Sequence, residues 1–235
     1  MSVPHPRRNH HHAALPAADV ASLTAEGFQW LRTGAQALAE MLAAIAQARE
    51  SVRLEMYIIQ PGAVGEKFRD ELVAAAQRGI KVRVLADGFG SMFLTPEFWE
   101  PLLAASAEFR FFNLPGDGRF GLRDHRKLMV CDDQLAFIGG LNLGPEYSGD
   151  GVTSGWRDLG LRFTGTMAHT LGLAFDEMFA LADFRHPRFA WLRHAIHQRR
   201  CDADSATLLL GAPGWKRNPL IRSLLRDFRH AESIR

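Results

Sequence analysis

Cysteine is nearly absent: Cys131 and Cys201 are the only two in 235 residues. Two thiols exclude a disulfide framework and a cysteine-ligated metal cluster, and they fit a reducing, cytoplasmic setting. The chain also lacks any run of about 18 apolar residues, the length a membrane-spanning helix needs. Arg7 and Arg8 are followed by no apolar stretch, which argues against a secretory leader. Lysine is scarce, 4 residues against 24 arginines. What is present is ordinary for a globular protein: 47% hydrophobic and 23% charged residues exclude a disordered tail, a collagen-like chain and a coiled coil.

The charge is unevenly placed. Residues 185–235 hold ten arginines and Lys216 against Asp202, Asp204, Asp227 and Glu232, a net +7 that leaves −5 for the rest of a chain whose total is +2. Such a basic segment fits either an anionic partner, lipid headgroup or nucleic acid, or a solvated helix surface.

Residues 1–33 read as an arm, rich in His, Pro and Ala over their first 20 positions; adjacent His10, His11 and His12 cannot all face one ion. Leu38, Leu42 and Ile45 then mark a helix, Val52 to Ile59 a strand, Phe68 to Ala76 a helix closed by Gly79, and Ile80 to Leu85 a strand. Short β-α-β connections predict an α/β chain with a buried, mixed but largely parallel sheet flanked by helices. Further elements are expected at 96–105, 109–112, 127–131, 135–138, 157–163, 167–181 and 207–210, with a tight Asp132-Asp133-Gln134 turn and a glycine-rich loop over 139–154. Arg49-Glu50-Ser51-Val52-Arg53 is echoed by Ala231-Glu232-Ser233-Ile234-Arg235, with Leu38 matching Leu220 and Leu42 matching Leu224. Read as a repeat rather than a chance likeness, the echo is the start of a second α/β unit.

The sharpest pattern is Asp124-His125-Arg126-Lys127-Leu128-Met129-Val130-Cys131-Asp132, which contains His-x-Lys-x4-Asp. On an extended chain His125 and Lys127 project to the same face. A neutral imidazole can attack phosphorus, and an ammonium beside it can hold the phosphate oxygens. Asp132, at the far end of the strand, is expected to serve the turn. Gly139-Gly140-Leu141-Asn142 brings glycines that allow close backbone approach and an amide that can donate to a phosphate. Asp158, in Trp156-Arg157-Asp158, is a candidate acceptor to orient a nucleophilic histidine.

In order along the chain, Leu54-Glu55-Met56-Tyr57, Ala74-Ala75-Ala76-Gln77-Arg78-Gly79, Asp87-Gly88-Phe89-Gly90-Ser91, the His125 motif and Ala136-Phe137-Ile138-Gly139-Gly140-Leu141-Asn142 resemble the phospholipase D superfamily, most closely bacterial cardiolipin synthases without transmembrane helices. The resemblance implies a layered α/β domain and a ping-pong reaction through a phosphohistidine. By motif, His125 is the nucleophile, Lys127 and Asn142 the phosphate ligands, and Asp158 the acceptor that orients His125. Asp132, Gly139 and Gly140 are structural. Glu55 has either a site role or that of a buried carboxylate. No cofactor or metal is implied.

The family builds one site from two His-x-Lys motifs, and this sequence has one. Three explanations stand: a two-motif enzyme of which this is the N-terminal half, a homodimer sharing its histidines, or a remnant that binds lipid without catalysis. The resulting expectation is a phospholipase D-like domain at 34–184, a basic linker at 185–204 and the beginning of a second unit at 205–235. It acts on an anionic phospholipid such as phosphatidylglycerol, at the inner face of the membrane through peripheral contact. A nuclease-type phosphodiesterase acting on nucleic acid is the alternative. The basic residues Arg193, Arg199 and Arg200 fit an anionic membrane surface or equally a nucleic-acid backbone, and Trp30, Trp191 and Trp215 fit core packing, the default, or interfacial anchoring; attachment through the basic segment, an apolar loop or both stays open. The aromatics from Phe89 to Phe120 fit either a lipid-tail cleft or, more often at such spacings, the core.

Overall fold

Helix α1 (Gly34–Gln47) begins where the Thr33 hydroxyl accepts the Gln36 N–H at 3.1 Å, and it buries Ala37, Leu38, Met41, Ala44 and Ile45 as one stripe. The computed structural model describes residues 27–114, 123–182, 200–203, 206–210 and 219–234. The other elements are β1 (Phe28–Leu31), β2 (Ser51–Met56), α2 (Ala63–Gln77), β3 (Lys81–Asp87), α3 (Pro96–Ala104), β4 (Glu108–Phe112), β5 (Leu128–Cys131), β6 (Leu135–Gly139), β7 (Gly160–Thr164), α4 (Thr166–Ala182), β8 (Arg200–Ala203), β9 (Ala206–Leu209) and α5 (Pro219–His230). Seven strands form one sheet in the order β1-β7-β6-β5-β2-β3-β4.

The sheet is mixed and flanked by helices. Its parallel part is confined to β2, β3 and β4, the strands joined by helical crossovers. The other four pairings are antiparallel, a larger share than the sequence predicts. The reason lies in the connections: β5 and β6 are joined by the Asp132-Asp133-Gln134 turn, and β6 and β7 by an irregular loop. Asp132 and Asp133 both take φ of 54°, a left-handed conformation that aspartate tolerates better than most residues.

Two cores sandwich the sheet. Val52, Leu54, Met56 and Met129 pack under α1, α2 and α3 with Phe68, Leu72 and Trp99. Leu85, Leu128 and Val130 pack under α4 with Met167, Leu171 and Phe175. The α4 side also carries charge, where Asp176 pairs with Arg53 at 2.9 Å and Arg83 at 2.7 Å.

Two expected boundaries shift. Phe28–Leu31, inside the stretch read as an arm, pairs with β7 as an edge strand. Four residues with one exposed member give too short a pattern to read as a strand. Residues 200–203 and 206–209 form a hairpin, so a boundary at 204/205 cuts through one element. Its Leu208 is buried in the α4-side core. A helix, α5, does precede the echo at 231–235, as α1 precedes 49–53, but its Leu220 and Leu224 are exposed whereas Leu38 is buried. Most of the arm, the 115–122 part of the loop, and Arg193, Arg199, Trp191 and Trp215 lie outside the described residues. No helix among the described residues is long and apolar enough to cross a membrane.

Candidate active site

The site gathers where β2 ends and the extended segment leading into β5 begins. Pairing of Glu55 with Leu128 sets the register, and alternation does the rest. His125 and Lys127 fall on one face, Asp124 and Arg126 on the other. Lys127 Nζ lies 3.2 Å from His125 Nδ1 and 3.4 Å from Nε2, and it donates to the His125 carbonyl at 2.9 Å. The His125 ring packs on Tyr57 with centroids 4.4 Å apart, and the Lys127 ammonium sits 5.0 Å above the same tyrosine ring.

Electrostatics follow from this packing. Lys127 is 8% exposed, and loss of water lowers its pKa to about 8 against the pull of Asp124, Asp158 and Asp87. His125 is exposed, yet the part of its ring that loses water lowers its pKa, and the Lys127 charge lowers it further. Asp124 and Asp87 oppose both effects. The imidazole is therefore held towards its neutral form, the form that can accept from an ammonium or attack an electrophile.

On the opposite face Arg126 clamps the fully buried Glu55 with hydrogen bonds of 2.5 and 2.9 Å. Burial pushes the Glu55 carboxyl well above the usual carboxylate range, with Arg126 pulling back. Asp124 Oδ2 is buried without a hydrogen-bond partner, and a proton on Glu55 would supply one. Glu55 thus stands behind the site as the anchor of Arg126.

Asn142 is buried. Its Oδ1 accepts the Ile58 N–H at 3.0 Å and its Nδ2 donates to the Tyr147 hydroxyl at 2.7 Å, which leaves one amide hydrogen for a ligand. Asp158 sits over Gly140, where any Cβ would collide with its carboxylate. It accepts the Leu159 N–H at 2.7 Å, and its charge acts on Lys127 and Tyr147. The expected hydrogen bond from His125 to Asp158 does not occur among the described residues. Gly139 closes β6 where a Cβ would strike the Leu159 carbonyl. Asp132 lies apart from the site. Its carboxylate accepts the N–H groups of Arg49, Glu50 and Ser51 at 3.0, 2.8 and 2.9 Å, tying the end of α1 to the β5–β6 turn.

Sequence reasoning missed Tyr57, Asp87, Asp124 and Arg126. Asp87 is fully buried, accepts from Phe89 and Gly90 at 3.0 and 2.9 Å, and takes the Asp124 N–H at 2.8 Å. Its signal was an acid closing β3 just before a glycine. For Asp124 and Arg126 the signal was their alternation with the motif.

A layered α/β domain with a paired histidine and lysine at its strand ends defines the class: the chain belongs to the phospholipase D-like proteins. Residues 41–148 match the family model described as the cardiolipin synthase, PLD-like domain. The chain is 35% identical to cardiolipin synthase B of Escherichia coli strain K12 over 188 residues, covering 77% of this chain and 45% of that protein. It is 35% identical to the major cardiolipin synthase of Bacillus subtilis over 140 residues, 57% of this chain and 29% of the relative. The chain thus spans less than half the length of these curated relatives. Among solved structures, NucT from Helicobacter pylori matches with a TM-score of 0.52 at 17% identity, covering 66% of this chain and 96% of that one. Phosphatidylserine synthase of Haemophilus influenzae matches at 0.57 and 18%, covering 75% and 43%. These likenesses show the fold.

Proposed function

We propose that the chain carries the nucleophile of a phosphatidyltransferase of the cardiolipin synthase type, acting on phosphatidylglycerol-like phospholipids. The observation that carries this reading is the meeting of a neutral-leaning imidazole and a buried ammonium at an open strand end. A ring nitrogen of His125 attacks phosphorus, the bond to the glycerol headgroup breaks, and glycerol leaves with a proton from a general acid. The hydroxyl of a second phospholipid then attacks the phosphatidyl-histidine, returns its proton to that acid's conjugate base, and frees His125. Lys127 holds the phosphate oxygens, the remaining Asn142 amide hydrogen adds a donor, and Asp158 keeps Lys127 charged. Glu55, through Arg126, is a positioning residue, and Asp132, Gly139 and Gly140 hold the backbone.

The general acid comes from a second His-x-Lys unit, in the same polypeptide or in a partner copy, and its absence typically forfeits ~10²–10⁴ in rate. The work is done at the inner face of the membrane. A homodimeric phosphodiesterase acting on nucleic acid is the second reading; that one unit of this fold can make up nearly a whole chain, as in NucT, leaves room for a site completed by a second copy.

The test is to incubate the protein with phosphatidylglycerol, quench it, and look by mass spectrometry for a phosphatidyl adduct on His125 and for cardiolipin. The adduct is expected in the wild type and absent in His125→Ala. Adduct-free protein that cleaves DNA would instead establish the second reading.

A further inference from the structure

A diacyl phospholipid held by its phosphate at His125 must send its acyl chains out through the mouth of the site, and two loops there display apolar side chains to solvent. The first loop follows β3. Phe93 is 72% exposed, and Phe89 and Met92 are exposed beside it. Exposure of this kind is usual for a mobile tip, but this loop is fastened. Asp87 holds its start, the buried Ser91 hydroxyl accepts the Ile59 N–H at 2.9 Å and donates to the Tyr57 carbonyl at 3.2 Å, and Gly90 lies against Tyr57. The second loop precedes β7. Trp156 is 60% exposed, packs edge-on against Tyr147, and donates its backbone N–H to the Glu146 carbonyl at 2.7 Å. Tyr147 is in turn bonded to Asn142, which holds Ile58.

Both apolar groups therefore hang from residues 57–59, one on each side of His125 and Lys127. Each has an arginine with it: the Arg123 guanidinium stacks 4.3 Å from the Phe89 ring, and exposed Arg157 follows Trp156. Apolar tips with cations at their base match the boundary of an anionic bilayer, where acyl chains lie below and phosphates at the rim.

We infer that Phe89, Met92 and Phe93 on one side and Trp156 on the other form a membrane-docking collar that seats the mouth of the site on a bilayer of anionic phospholipid. This rests on the phosphatidyltransferase reading for its purpose but not for its measurement. Of the routes left open by the sequence, the collar is attachment through apolar loops.

The experiment is sedimentation with phosphatidylglycerol vesicles in the absence of turnover. The double variant Met92→Asp, Phe93→Asp is expected to lose about tenfold or more in vesicle partitioning, since two large apolar side chains are replaced by anions. Leu103→Asp, an apolar position on α3 as exposed as Met92, should bind as the wild type does. Formation of the His125 adduct from dihexanoyl phosphatidylglycerol below its micellar concentration should be unchanged in the double variant, which also reports that it folds. Wild-type partitioning in the double variant, or equal loss in Leu103→Asp, overturns the inference. So does a change in assembly state by sedimentation velocity with vesicle binding intact, which would assign the collar to a protein neighbour. Vesicle binding that depends on the collar, together with no phosphatidyl adduct on His125 in any protein, would leave the docking in place and remove the phosphatidyltransferase reading.

Discussion

At the scale of single residues, the site is set by two groups whose pKa values move in the same direction for different reasons. His125 is held below 6.5, and Lys127 is lowered to about 8, both chiefly by lost hydration. In the proposed mechanism the histidine must be neutral to attack, and the lysine must be charged to hold the phosphate. Adduct formation should therefore rise as pH passes upward through the lowered His125 pKa, level off near neutrality, and fall as pH passes about 8. A quenched-flow pH profile of the adduct measures both limbs. An alkaline limb near the ordinary lysine value of ~10.4 would remove Lys127 from the role assigned to it. Replacing Asp158 with Asn should move the alkaline limb to lower pH, because a negative charge that favours the ammonium is lost.

At the scale of elements, the tie between the α1–β2 junction and the β5–β6 turn rests on Asp132. Removing its carboxylate strands three N–H groups, and hydrogen bonds to a charged acceptor contribute about 1.5–3 kcal/mol each, less where water can replace them. Asp132→Ala is expected to lower stability by about 2–3 kcal/mol in urea denaturation, while the folded fraction still forms the His125 adduct. The aspartate in the His-x-Lys-x4-Asp pattern is thus legible as structural from its distance along the strand. The shared face of His125 and Lys127 was legible in the same way, because alternation is a local property, whereas the Asp158 carboxylate that fills the space beside Gly140 comes from a separate segment. The sheet's balance of pairings was not. The strand order depends on which connections cross over, and nothing local distinguishes β5 as the antiparallel partner of β2. Tyr57 and Asp87 were hidden for a related reason: each acts on His125 from a strand distant in sequence. The aromatics divide as position in the fold dictates, Phe98, Trp99 and Phe112 buried and Phe89 and Phe93 exposed.

At the scale of the whole molecule, the proposed mechanism leaves the general acid to a unit beyond the one His-x-Lys motif of these 235 residues. If a partner copy supplies it, activity per chain should climb with protein concentration and level off once the pairs are formed. Serial dilution of the assay, with sedimentation velocity alongside, checks this; activity proportional to concentration throughout, in a monomer, would contradict a shared site. The alternation along residues 124–127 also bears on how the sheet assembles. A slip of one residue between β5 and β2 would carry His125 and Lys127 beneath α4 and turn Arg126 out to the mouth. Glu55 would then be buried without its guanidinium, at a cost of about 3–5 kcal/mol. The Glu55–Arg126 pair therefore works as a parity check on strand pairing. A chain that aligns β5 wrongly is penalised electrostatically, so that only the alignment which pairs Glu55 with Arg126 presents the histidine and lysine at the mouth.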